Sequence, residues 1–494
     1  MSTMVLSLTD PDRPRTMPLA TRPGATRASD LACVLLLLQA SMALVSSSLM
    51  FILAATGFPV PPGKLGAVGL LALTHPIFLV VVALGVARSW RWARRTAIVF
   101  ESITIAGTLA NLALNVIPRV QTESGPLVLA VNLVLPGIVV ALLRTWRRLP
   151  STSTVAAALI GASAVVHAGL ADAHASEVPE LGPLFRLDAL LLGTVALGAV
   201  LAQRYPAWRL PGRWRRFAIV LLLANVLAYV AYIGSGREHV EQTALAVKLI
   251  EIVALGLLLL PDGARADERP RPPRRTWTIL VGTMLLLGFL TGFVAWATGF
   301  RPHHIPAPGE AAHVLEPVPG HNVRRKLIAP IAPDDEAATA RLVEATRAGT
   351  ARYANVAAAY EAGYVGQVIG PNSHFENKAF QKDEAVLDPA RPEQLVYAAT
   401  PDGPLLLGVV YVMPAPELDG PEVGGSLTRW HTHTLCITIL PPFIAGLMTP
   451  FGTCPFGAAN VVMPEMMHVW IVENPTGQVG DRLSSSVLKA RGIK

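Results

Sequence analysis

Charge is scarce in this chain. Asp, Glu, Lys and Arg make up 15% of it, where soluble globular domains carry about 25%. With 52% hydrophobic residues and a mean hydropathy of +0.46 over 494 residues, a wholly soluble protein is excluded. Several chemical signatures are missing as well. There is no Gly-rich phosphate loop, no Gly-x-Ser-x-Gly elbow, no His-Glu-x-x-His and no Cys-x-x-Cys-His. ATP-driven transport and covalent cytochrome c chemistry therefore have no footing. Lysine is nearly absent: 34 of the 41 basic residues are Arg, a bias typical of a GC-rich bacterial genome.

The formal charge of +7 does not mark a nucleic-acid partner. Residues 1–300 hold 26 basic and 15 acidic residues, residues 301–494 hold 15 and 19, so the excess lies wholly in the apolar part. A transmembrane helix needs about 20 apolar residues. Nine stretches qualify: 32–56, 65–87, 96–117, 126–143, 153–171, 187–203, 217–234, 243–260 and 276–299. The N-terminus and the loops 88–95, 144–150, 204–216 and 261–275 carry 21 basic residues, and the opposite set, with the adjoining helix ends, carries five. The positive-inside rule puts the N-terminus in the cytoplasm, and nine crossings then put the C-terminal part outside. The first apolar stretch is longer than a cleavable signal core and reads as a signal anchor. Trp90, Trp92, Trp146, Trp208 and Trp214 beside Arg read as interface anchors, not as platforms for nucleic acid.

The expected fold is thus a membrane all-α bundle of about nine helices plus an extracytoplasmic α+β domain with a small, mainly antiparallel sheet. Residues 1–30 read as a disordered cytoplasmic tail, 31–300 as the transmembrane domain, 301–333 as a linker and 334–494 as the outer domain. In that domain Pro333-Asp-Asp-Glu predicts a helix start, and a second helix runs near 350–362, ending at Gly363. Strands are expected at 395–399, 405–413, 427–438 and 468–472, with a hairpin turn at Pro401-Asp-Gly-Pro.

Eight of the twelve histidines and two of the three cysteines fall in the last 194 residues. On a strand, His431 and His433 project to one face and can share a metal ion, with Cys436 on the other face. His468 is the expected third ligand and His374 the fourth. Three imidazoles with an open position describe a working metal site rather than a sealed structural one. Gly425, five residues, then His431-Thr-His433 is similar to the first metal motif of the cupins, over about a dozen residues. It differs from that motif in having Ile437 or Thr438 where cupins place Glu. Of the second cupin motif, Pro455-Phe-Gly457 is present, but His468 follows eleven residues on. The resemblance implies a three-His site on a small barrel. The wider domain also resembles exported bacterial domains of unknown function, which implies no activity.

Cys436 and Cys454 have two readings: a disulfide, favoured by the opposite-face argument and an oxidising compartment, or soft Cu(I) ligands together with Met463, Met466 and Met467. The linker histidines His303, His304, His313 and His321 read as ordinary surface residues. Within the membrane, His75, Glu101, His167 and Glu251 are ionisable, and such groups usually face a bundle interior. Lys248 lies one turn from Glu251. Asn111 and Asn115 can tie helices together. His167, Asp172 and His174, near the outer end of the fifth helix, are placed to face the outer domain.

The functional expectation is a multi-pass protein of a bacterial inner membrane whose outer domain binds copper or zinc for capture, sensing or handling. Its partners are the bilayer and the ion, without nucleic acid. The alternatives are a cupin-like metalloenzyme, with iron or manganese as further cofactors, or a disulfide-stapled partner-binding domain without metal.

Overall fold

A computed structural model describes residues 26–55, 62–114, 126–145, 148–149, 151–177, 180–205, 210–235, 240–260, 274–299, 321–323, 332–368, 370–438, 445–455, 457–475, 477–480 and 483–493. The tail before residue 26, most of the 301–333 segment with His303, His304 and His313, and Asn115 lie outside the described residues.

Among the described residues nine helical spans are long and apolar enough to cross a membrane. They are α1 (Ala28–Ala55), α2 (Pro62–Ala87), α3 (Arg91–Leu114), the composite span α4 (Pro126–Leu129) with α5 (Leu135–Thr145), α6 (Thr152–Glu177), α7 (Leu181–Arg204), α8 (Leu210–Gly234), α9 (Gln242–Leu259) and α10 (Arg274–Gly299). Several begin before the apolar run does. The arginines at their starts are helical, because a helix continues through the interface and its long basic side chains reach back to polar groups. Arg94 Nε donates to Leu143 O at the end of α5 (2.7 Å), and Arg215 Nε to Leu258 O at the end of α9 (2.7 Å). These basic groups thus satisfy carbonyls at helix C-termini, where the macrodipole also favours them. Two short strands, β1 (Thr26–Arg27) and β2 (Arg148–Leu149), pair at the same end of the bundle.

The helix first in sequence is central in space. In α1, 72% of the most apolar window is buried by the rest of the protein, against 11% in α3. Small residues allow the close approach: a Cβ at Gly288 of α10 would lie 2.0 Å from Ser41 Oγ. This helix is a core element, and losing it would remove the middle of the bundle.

The span from α4 to α5 passes through a π turn, Ala130–Val134, with Leu135 N–H donating to Ala130 O. Pro136 lacks the N–H that would reach Asn132 O. Thr108 Oγ1 of α3 shares its one hydrogen between that carbonyl, at 3.0 Å, and Thr104 O, at 2.9 Å. A proline inside the membrane is tolerated because a neighbour supplies the missing donor.

The C-terminal part opens with α11 (Pro333–Thr350), whose first turn carries Asp334, Asp335 and Glu336. A 3-10 turn (Ala351–Ala354) and α12 (Val356–Glu361) follow, ending at Gly363 with φ of +89°. An antiparallel sheet comes next: β3 (His321–Val323), β4 (Ser373–Glu376), β5 (Gln394–Thr400), β6 (Gly403–Val412), β7 (His431–Thr438), β8 (Ala445–Leu447), β9 (Ala458–Val462) and β10 (Met466–Trp470), in the order β3-β7-β10-β6-β5-β4 with β8 and β9 flanking the far end of β7. A short helix α13 (Ser485–Ala490) completes the chain. The segment read as linker therefore supplies an edge strand at 321–323. The strand expected from 427 begins only at His431, because residues 425–427 form a 3-10 turn.

One sheet face, with Leu395, Tyr397, Val409, Tyr411, Met467 and Val469, packs against Val343, Tyr353, Ala359 and Tyr364 from the helical segment. Met466 lies on the other face with Val410, Val412 and Trp470, so Met466 and Met467 both serve as packing. Cys436 and Cys454 are joined by a disulfide, which removes two of the soft donors from the Cu(I) reading.

The two parts of the chain are in contact. Between the disulfide partners the chain dips into the bundle: Phe451 is fully buried in the helical core. Its ring touches the place where a Cβ on Gly292 of α10 would stand, as does Val45 of α1. Asn111 Nδ2 of α3 donates to Asn460 Oδ1 of β9 (2.9 Å), and Asn132 Nδ2 to Gly452 O (3.2 Å). Asn111, expected to tie two helices, instead ties a helix to the sheet.

Candidate functional site

Strand alternation and register decide which side chains share a face. Met466 pairs with His431 and with Val412, His468 pairs with Val410, Gln394 with Val410, and His374 with Val396. His431, His433, His468, Gln394 and His374 therefore lie on one face, opposite the face covered by α11 and α12. His374 and His468 are three strand steps apart, about 14 Å on a flat sheet. Their ring centres are 5.6 Å apart. The sheet is curled into a half-barrel, and this face is its inside.

Four imidazoles line up there. The His433 and His431 ring centres are 5.1 Å apart with planes at 83°, and His431 to His468 is 5.3 Å with planes at 2°. His374 closes the row against His468, and Trp470 flanks His468 at 5.2 Å. His431 and His468 are buried, and His433 and His374 are half-buried. His321, read as an ordinary linker residue, registers directly opposite His433 on β3. Nothing in its local sequence marks it, because the pairing is set by the partner strand.

Protonation follows from the surroundings. Burial lowers the pKa of His374, favouring the neutral ring, and its Nδ1–H donates to Gln394 Oε1 at 2.7 Å. That bond fixes the tautomer and puts the lone pair on Nε2. Of the nearby acids, Glu376 shares a strand and a face with His374 but is exposed. Glu473 is exposed too, and buried Glu465 accepts from Gly420 N–H at 2.8 Å. As the rings stand, no group of three His, Cys, Asp or Glu among the described residues is placed to hold one metal ion.

The glycine of the cupin-like motif has a packing reason of its own. Gly425 adopts φ of +51°, and a Cβ there would lie 2.6 Å from Asp335 Oδ2 of α11. Asp335 Oδ2 also accepts from Ala332 N–H at 3.1 Å. The glycine thus lets the loop before β7 press on the start of α11.

The ionisable groups of the bundle fall into separate places. His75 sits by Phe100, ring centres 5.2 Å apart, and Glu101 accepts from Gln39 Nε2 at 3.2 Å. Glu251 is fully buried and pairs with Lys248 Nζ at 2.9 Å. Of the three residues expected to face the outer domain, His167 and His174 are buried between α6 and α7, His174 stacking on Phe185 (4.2 Å), while Asp172 forms an exposed pair with Arg186 of α7 (2.5 Å). The bundle residues that hold the domain are on α1, α3, the α4 turn and α10.

Among the described residues, nine membrane-length apolar helices joined to a C-terminal half-barrel define the class: a multi-pass membrane protein with a folded sheet domain at one end of its bundle. In comparisons with protein-family models, curated proteins and solved structures, the chain matches none.

Proposed function

We propose that the half-barrel binds a transition metal ion, copper or zinc, through His431, His433 and His468, with His374 as a further ligand. The observation that carries this reading is the row of four imidazoles inside the sheet, with ring centres 5.1–5.6 Å apart. Two imidazoles on one tetrahedral zinc, with Zn–N near 2.0–2.1 Å, have ring centres roughly 5 Å apart. The backbone spacing therefore suits a shared ion, and ring rotation brings the nitrogens together. The His374–Gln394 bond supports the same reading, since ligating imidazoles commonly donate their other N–H to an oxygen. A bound ion would supply Lewis acidity or a binding charge at this face. The protein's own residues supply the imidazoles, a fixed tautomer at His374 and a buried setting.

Capture or sensing fits better than cupin-like catalysis with iron or manganese. Glu465 is engaged by Gly420, and Glu473 is exposed, so neither is poised as a general base. The distribution of 21 basic residues against five and the disulfide support a cytoplasmic N-terminus and an extracytoplasmic domain in a bacterial inner membrane.

The test is elemental mass spectrometry on the full-length, untagged protein after equilibration with copper or zinc and desalting. About one equivalent, lost in the His431→Ala/His433→Ala double variant, is expected. No retained metal in the wild type, with the disulfide intact, would overturn the reading and leave a stapled partner-binding domain.

A further inference from the structure

A second polar assembly lies inside the bundle, among α6, α7, α8 and α9. Asn225 Nδ2 donates to Asp188 Oδ2 at 3.0 Å, and the same oxygen lies 3.2 Å from His167 Nε2. His167 Nδ1–H donates to Ser163 O at 2.8 Å. Ser163 Oγ donates to Glu251 Oε1 at 2.7 Å, and Glu251 Oε2 accepts from Lys248 Nζ at 2.9 Å. The chain of contacts links all four helices. An ionisable group at mid-membrane costs about 2.5–3.5 kcal/mol on insertion scales, so four of them in one network call for more than packing.

Lys248 and Glu251 satisfy one another. His167 and Asp188 do not close in the same way. His167 Nδ1 faces the Ser163 carbonyl, and its Nε2 faces Asp188 Oδ2 at 3.2 Å. Asp188 Oδ1 accepts no hydrogen bond among the described residues, and Asp188 lines a cavity of about 410 Å³. Most of the rest of that wall is apolar or aromatic, including Phe185 stacked on His174, with Lys248 and the hydroxyl-bearing Tyr229 and Tyr232 also on it. Leu184 and Leu187 line it from α7 and are 56% and 51% exposed on the outside of the bundle, so the cavity is reached from the lipid side. Cavities of about 300–1,000 Å³ with few convergent polar groups are the common form of a small-molecule site.

We propose that this cavity binds a lipid-soluble phenol or hydroquinone, its hydroxyl donating to Asp188 Oδ1 and its ring lying along Phe185. Charge selects a neutral donor. An anionic head would meet the Asp188 carboxylate, and an ammonium head would meet Lys248 on the same wall. An apolar tail leaves between Leu184 and Leu187 into the bilayer. Binding alone is proposed, and it does not depend on the metal reading of the half-barrel.

The experiment uses the full-length protein in phosphatidylcholine nanodiscs, titrated under argon with a decyl-substituted hydroquinone and followed by intrinsic fluorescence. Saturable binding is expected, weakened by about tenfold or more in Asp188→Asn, as for loss of a charge-assisted hydrogen bond. Asp172→Asn, in the exposed pair with Arg186, should bind as the wild type does. Dodecylamine should fail to compete. If Asp188→Asn does not fold, as judged by its melting temperature, Phe185→Ala replaces it with the same expectation. Absence of saturable binding to the wild type, equal binding by the folded variant, or competition by dodecylamine would each overturn the proposal.

Discussion

Asn132 shows how much can rest on one residue. Its carbonyl loses a helical donor to Pro136 and gains Thr108, while its side chain donates to Val128 O and Gly452 O. The sequence identifies a polar residue in an apolar span but not its partner, which lies 320 positions away. Gly452 is the other side of that contact. It has φ of +71°, and a Cβ would lie 2.3 Å from Val128 Cγ2. Gly452→Val should cost about 2–3 kcal/mol, from left-handed strain and overpacking together, read as a lowered melting temperature in detergent. Glu393 gives a pH dependence. Burial pushes its pKa up from 4.5 to about 7, although Val412 N–H donates to its Oε2 at 3.0 Å. The folded state then holds the proton more tightly than the unfolded chain. Stability contributed by this group is present below about pH 4.5 and is lost as pH rises toward 7. The loss is about 3 kcal/mol at 1.36 kcal/mol per pKa unit. Melting curves across that window should show the decline, and Glu393→Gln should flatten it.

At the scale of elements, legibility follows length and periodicity. Each of the nine long helices overlaps an expected apolar stretch, because a run of some 20 apolar residues has few other solutions. In the domain, α11, β5, β6, β7 and β10 were legible from an acidic first turn, a Pro-Asp-Gly turn and β-branched runs. β3, β4, β8 and β9 were not. They have three to five residues each, too few to show alternation, and their pairing is decided by β7 and β5. The face shared by His431 and His433 was legible from a period of two. The convergence of His374 on His468 was expected from residue type alone, and no local pattern marks the curl of the sheet that produces it. The disulfide closes a separation of 18 residues, worth on the order of 3 kcal/mol in the chain-entropy model. Cys436→Ser/Cys454→Ser should lower stability by about that amount, measured by chemical denaturation of the domain signal. An unchanged midpoint would mean that Phe451 and the asparagine contacts hold the segment without the staple.

At the scale of the molecule, the two features proposed to bind ligands lie on different elements: the imidazole row in the half-barrel, and the Asp188 cavity among α6–α9. Between them is the disulfide-closed segment with Phe451 among α1, α4 and α10. β7 joins the first feature to that segment, since His431 and His433 occupy one end and Cys436 the other.

The burial of Phe451 also sets an order of events in biosynthesis. The nine membrane-length helices among the described residues are synthesised before residue 451 leaves the ribosome, yet Phe451 is part of their buried core. The helices enter the membrane as an unfinished assembly and are completed only when the disulfide-closed segment packs among them. An error in the last fifty residues, a mispaired thiol among them, is therefore felt first as a fault in the membrane.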